Sequence, residues 1–547
     1  MRILRFALLA LCLATPALAE RPAQRFDDLG DHRRKITTSS EEAQAWFNQG
    51  IALYFNFNHE EAILSFQAAA EADPGCAMAY FAIALSAGPN INNPEMEEAA
   101  AKLAFDSAQH AVTLLDDETD VERSMVHAIA QRYAWPRPDE LSQLNQAWAD
   151  AMLAAREVHP EDADLGTWTA EALMNLRPWD LWTPEGEPQP GTLRIVEILE
   201  DVLEMAPQHP GANHFYIHTM EASPFATKAL PAANTLRDLV PAAGHLVHMP
   251  SHVDIRLGDY NSAIMANQKA IEADLRYAEA TDNAPGFYTL YRAHNYHFLA
   301  YAAMFDGQRQ LAVQAANDMI EQVPMGLVLA YPDFLDCFMA VPIHVDVRFG
   351  LWEELLEISK PRDELVANIA FWHYGRTVAL ASLGRVEEAR LEFAALEAAI
   401  REVPESRLMG NNTALTLLEI GRRMAEGELR YREGEHDAAF ALLREAVKLD
   451  EQLRYDEPWG WMQPVGHALG ALLLERKRLD EAEAVYRADL VLHPGNGWAL
   501  HGLEETLRRQ GNSADATKCG EDFEKAWSRS DIELKASCFC AQKARKG

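Results

Sequence analysis

Apolar residues recur at i, i+3, i+4 and i+7 through long stretches of this chain, and no sustained run alternates apolar with polar. That spacing lays one apolar stripe along a helix and suits no strand, so the pattern predicts an all-α protein. At 547 residues the chain is too long for one compact core, and internal repeats are expected.

A recurring frame of about 34 residues is present. The window 43–76 carries Trp46, Gly50, Ala62, Phe66, Ala69 and Pro74. The same places hold Gly470, Ala482, Tyr486 and Pro494 in 463–496, and Gly427, Ala439 and Ala446 in 420–453. Windows 370–403 and 497–530 repeat the turn glycine and small residues with Gly384, Ala389, Gly511 and Ala516. In the middle the frame is sparser, over 210–243, 244–277, 293–326 and 336–369, while HVDIRLGDY at 252–260 returns as HVDVRFGLW at 344–352. Small residues let two helices approach closely, and the proline closes each unit.

These separated positions resemble the tetratricopeptide repeat. The resemblance implies a right-handed α-solenoid of helix-turn-helix units over about residues 43–530, with the first helix of each unit lining a concave groove that takes a peptide or a protein partner. The expected organisation is a signal peptide at 1–19, an N-terminal segment at 20–42, N-terminal repeats at 43–209, a central histidine-rich block at 210–369, C-terminal repeats at 370–530 and a tail at 531–547.

Histidine placement changes the picture most. Eight of the nineteen histidines lie between His209 and His297. On the repeat frame, His214, His218 and Glu221, then His245, His248 and His252, then His294 and His297, and finally Cys337 and His344, take places that fall within about 80° of one another at 100° per residue. If successive first helices are neighbours about 10 Å apart, these imidazoles converge. The i, i+4 pairs His214/His218 and His248/His252 have the spacing by which helices present metal ligands. The metal ligands are expected to be His214, His218, His248, His252, His294, His297 and His344. Glu221 and His245 are the expected acid/base groups. Pro250 should kink its helix between His248 and His252. His209 is read as structural, His373 as a core residue, and His59 and His436 as exposed residues at the starts of second helices.

Imidazole-rich sites suit copper, zinc or iron and exclude calcium and magnesium, which take oxygen ligands. Copper is favoured if the protein is exported. Arg2 and Arg5, the apolar stretch from Phe6 to Ala14 and the Ala17-Leu18-Ala19 end match a cleavable signal peptide, which predicts a periplasmic or secreted protein. No later stretch is apolar enough to cross a membrane. A net charge of -34 argues against nucleic acid as a partner, because two polyanions repel. Of the six cysteines, Cys12 falls in the signal stretch, and Cys519 is expected to pair with Cys538 or Cys540.

The expectation that follows is an exported metalloprotein holding one or two transition-metal ions, copper favoured, and acting as an oxidoreductase on a small molecule or peptide in the groove. The alternatives are a partner-binding scaffold without metal, and a zinc hydrolase with Glu221 as general base.

Overall fold

Short polar caps and turn residues cut the chain into paired helices. Ser40 caps the helix Glu41–Phe55 by accepting the Ala43 N–H, and three residues later Asn58 caps its partner, His59–Ala72. Between the two helices, a Cβ on Gly50 would lie 2.4 Å from the Phe66 ring, so only glycine allows this approach. The computed structural model describes residues 21–282 and 286–541, and among them the architecture is all-α apart from one two-residue ribbon. That ribbon pairs Leu408–Met409 with Asn412–Thr413, where no strand was expected. The expected signal peptide, with Cys12, lies outside the described residues, as do the last six residues of the expected tail.

The chain divides into two units. The first comprises residues up to Val253 together with Ala266–Arg292, and the second comprises Asp254–Met265 with Ala293 onward. The division therefore falls inside the block 210–369 that the sequence reading kept whole.

In the first unit the helix Pro210–Met220 is buried along its whole length. His209 caps it by accepting the Ala212 N–H on Nδ1, and Pro210 occupies the first turn, where its missing N–H costs nothing. Gly211 sits so close to Phe55 that a Cβ would lie 2.3 Å from the ring. The helix Gly244–His248 then ends at Met249 and a new one starts at Pro250, the interruption that Pro250 predicts.

The second unit holds the helix pairs Val366–Ser382 with Val386–Glu402, Ala414–Arg432 with His436–Glu451, Val465–Glu475 with Leu479–Leu492, and Gly497–Gln510 with Ser513–Ala526. Gly470 and Gly502 both make room for the Tyr486 ring. Here Arg348 stacks on Trp498 and donates to His467 Nδ1 at 2.9 Å, while His467 Nε2–H donates to Asp489 at 2.8 Å. Cys538 is bonded to Cys540, and Cys519 is free. The expected pairing of Cys519 fails because its helix turns the thiol inward, onto the Leu500 carbonyl.

His59 and His436 do open second helices. Neither is exposed as expected: both are only partly exposed, with His59 Nε2 and His436 Nδ1 buried. His373 is half-buried and bonded to Glu392 at 2.7 Å, not a core residue without a partner.

Candidate metal centre

Five of the singled-out histidines and Glu221 come together inside the first unit, all of them buried. His214 and His218 lie one turn apart on Pro210–Met220, with ring centres 4.8 Å apart. His245 and His248 come from Gly244–His248, and His252 from the helix that Pro250 opens. One nitrogen each from His214, His218 and His245 lies within 4.8 Å of the others.

Hydrogen bonds fix how several of these rings face. His214 Nδ1–H donates to the Phe55 carbonyl at 2.7 Å; since a carbonyl only accepts, the neutral ring carries its lone pair on Nε2. That Nε2 lies 3.1 Å from His245 Nε2. His218 Nδ1–H donates to Glu221 Oε1 at 2.7 Å, which again puts the lone pair on Nε2. His252 Nδ1–H donates to Glu221 Oε2 at 2.5 Å, and His248 Nδ1–H donates to Asn267 Oδ1 at 2.8 Å. The Nε2 atoms of His248 and His252 are 2.6 Å apart.

Those two nitrogen pairs differ chemically. Two imidazole nitrogens bound to one ion at about 2.0 Å each, with a tetrahedral angle between them, stand roughly 3.3 Å apart. The 3.1 Å separation of His214 and His245 is close to that value, whereas 2.6 Å between His248 and His252 is the separation of a shared proton.

Glu221 was expected as a general base and His245 as its catalytic companion. Each oxygen of Glu221 already accepts an imidazole N–H in a fully buried setting, which suits it to orient rings and not to take a proton from water. Burial alone would raise its carboxyl, but the charge of His252 and the bond from His218 outweigh that and hold it well below the usual carboxylate range. His245 shares the space of His214 and His218.

His294, His297 and His344 belong to the second unit. His294 is partly exposed beside Phe298. His297 is buried edge-on to Phe338, and neither of its nitrogens hydrogen-bonds a described residue. His344 is buried against Trp461 and Phe371. Burial lowers His297 to about 3, aided by nearby His344, and lowers His344 to about 4.

A second grouping, His32, Asp164 and His209, suits structure better than metal. His209 accepts a backbone N–H on Nδ1, so its Nε2 carries the proton and donates to Asp164 at 3.1 Å, while Arg34 bonds the other oxygen of Asp164.

The sequence reading missed the residues that back the cluster. Phe57 has a left-handed backbone (φ 55°) in the first repeat's turn. Its ring centre lies 4.5 Å from that of His214 and stacks on His245 at 5.2 Å. Tyr291 packs 4.6 Å from His245, and the Asn56 side chain accepts the Leu246 N–H. No residue spacing could have pointed to them, since their partners are distant in sequence.

The window in which the small residues and closing proline were read, residues 43–76, matches the family model for the tetratricopeptide repeat. No curated protein matches the chain. Among solved structures, the human IFIT1 dimer with m7Gppp-AAAA is similar at 13% identity, covering 82% of this chain and 90% of that one, with a TM-score of 0.33. The human IFIT1 dimer with PPP-AAAA is similar at 14% identity, covering 90% and 96%, also with a TM-score of 0.33. Likeness at that TM-score contributes nothing to the functional reading. The tetratricopeptide repeat itself suggests a helical scaffold for protein interaction, and among the described residues no helix is long and apolar enough to cross a membrane.

Proposed function

We propose that this scaffold carries a transition-metal ion, copper favoured, on the Nε2 atoms of His214 and His218 and a ring nitrogen of His245. The observation that supports it most is the pinning of Nδ1: the Phe55 carbonyl holds it on His214 and Glu221 holds it on His218, so both lone pairs fall on Nε2, and a nitrogen of His245 lies within 4.8 Å of each. An oxygen acceptor behind each imidazole is the arrangement that raises ligand basicity and fixes ring orientation at metal sites. Three neutral imidazoles without a thiolate suit copper or zinc, and copper would supply one-electron redox chemistry. The chain's own part is to hold the ligands in a buried space, orient them through Glu221 and Phe55, and exclude water.

Metal analysis of untagged protein titrated with copper and with zinc tests this. One tightly held ion per chain, lost in His214→Ala and His218→Ala with the helical circular dichroism retained, is expected. A stoichiometry of two would put the second ion at His248 and His252, where it replaces the shared proton. Protein that stays metal-free with both metals sinks the proposal and leaves the partner-binding scaffold.

A further inference from the structure

A cavity in the first unit is lined on one side by Phe57, the residue whose ring packs on the histidine cluster. Its lining includes three carboxylates, Glu60, Glu95 and Glu97, and no lysine or arginine. Phe57, Phe287 and Tyr288 supply aromatic surface.

Polar atoms here lack partners. Ser86 is 4% exposed, yet its hydroxyl hydrogen-bonds no described residue. The same holds for Glu97 Oε1 and His59 Nε2, both buried atoms in the lining. Glu97 precedes the helix Glu98–Thr113 without capping it, so its carboxylate serves no local structural bond there. Leaving a buried hydroxyl and a carboxylate oxygen without partners costs stability, a cost that a ligand would remove. Glu60 accepts the Phe287 N–H at 3.3 Å, and burial pushes its carboxyl up to about 7.

We propose that this cavity binds a small organic ammonium ion with an aromatic or apolar body. Three carboxylates on a lining without lysine or arginine favour positive charge, and aromatic faces attract a desolvated ammonium through their quadrupoles. The orphan hydroxyl and the Glu97 oxygen can both accept from an N–H. A neutral polyol would satisfy the hydroxyl but bring no charge to the Glu97 carboxylate. A bare metal ion is disfavoured, because these groups form no set close enough to share one among the described residues. The proposal is independent of the metal reading, since none of the three imidazoles assigned to the ion lines the cavity.

The test is calorimetric titration of chelator-treated full-length protein in about 0.15 M salt, where diffuse attraction to the acidic surface is screened. Benzylamine is the probe and benzyl alcohol its uncharged counterpart. Expected is saturable one-site binding of benzylamine, with the alcohol about 10-fold weaker or worse, the loss of one charge-assisted contact. Glu97→Gln and Ser86→Ala should each weaken benzylamine several-fold, and the exposed Glu42→Gln should leave it unchanged. Equal binding of the alcohol would reduce the cavity to an apolar hole and overturn the proposal. So would equal weakening by Glu42→Gln, or no benzylamine binding. The comparison of amine with alcohol needs no variant, so a misfolded substitution cannot shelter the idea.

Discussion

The carboxylate of Glu221 accepts the Nδ1–H of His252 at 2.5 Å, across 31 residues of sequence, while its other oxygen accepts from His218 at 2.7 Å. One side chain thus sets the tautomer of two imidazoles on different helices. Glu221→Gln replaces one acceptor oxygen by an NH2 donor that faces an N–H, so one ring must flip or lose its bond. Copper affinity is expected to fall about 10- to 100-fold while helix content is kept. Unchanged affinity in a competition titration would show that Glu221 does not orient a ligand.

Gly211 stands where a Cβ would meet the Phe55 ring at 2.3 Å. Alanine inside a helix gains about 1 kcal/mol of propensity over glycine, but overpacking costs about 1–3 kcal/mol and here meets a rigid aromatic ring. Gly211→Ala is expected to lower stability in urea denaturation. It should also weaken copper binding, because it moves His214 away from the Phe55 carbonyl. An increase in the urea midpoint would refute the close approach.

Glu60 provides a pH test. Burial raises its folded-state value to about 7, above the unfolded value of 4.5, so the folded protein holds a proton that the unfolded chain releases. Its contribution is fully present below about 4.5 and is lost as pH rises through about 7. Glu60→Gln should therefore raise Tm relative to wild type at pH 8 and barely alter it at pH 4.5. Because Glu60 keeps part of its side chain in solvent, the effect is about 1–2 kcal/mol. A Tm difference between variant and wild type that is the same at both pH values would contradict the burial.

Cys76, Cys337 and Cys519 are free and buried, and burial raises all three thiols, Cys76 and Cys519 to about 11. A thiol that is neither exposed nor ionised does not attack a disulfide reagent. Ellman's reagent at pH 8 should leave all three unmodified in native protein and titrate them after unfolding in guanidinium. Rapid reaction of any of them in the native state counts against the packing around it.

What the sequence by itself determined is what local periodicity can encode. Apolar spacing and the small residues of the repeat frame specify helices and their pairing, from Gly50 against Phe66 to Gly470 against Tyr486. Pro250 marks the break between two helices, because a ring without an N–H cannot continue the ladder. At 100° per residue, His214 and His218 must share a helix face, and so the candidate ligands of the first unit were legible. Tertiary structure decided which nitrogen each ring presents. His214 is fixed by a carbonyl 159 residues away, and Leu246 is tied to Asn56 across 190 residues. It also turned Glu221 from an expected base into a bridge between two imidazoles, and paired Cys538 with Cys540 instead of Cys519. The reason is physical: helix faces follow from neighbours within a few residues, whereas a hydrogen-bond partner follows from how distant helices pack, and repeat spacing alone does not specify that.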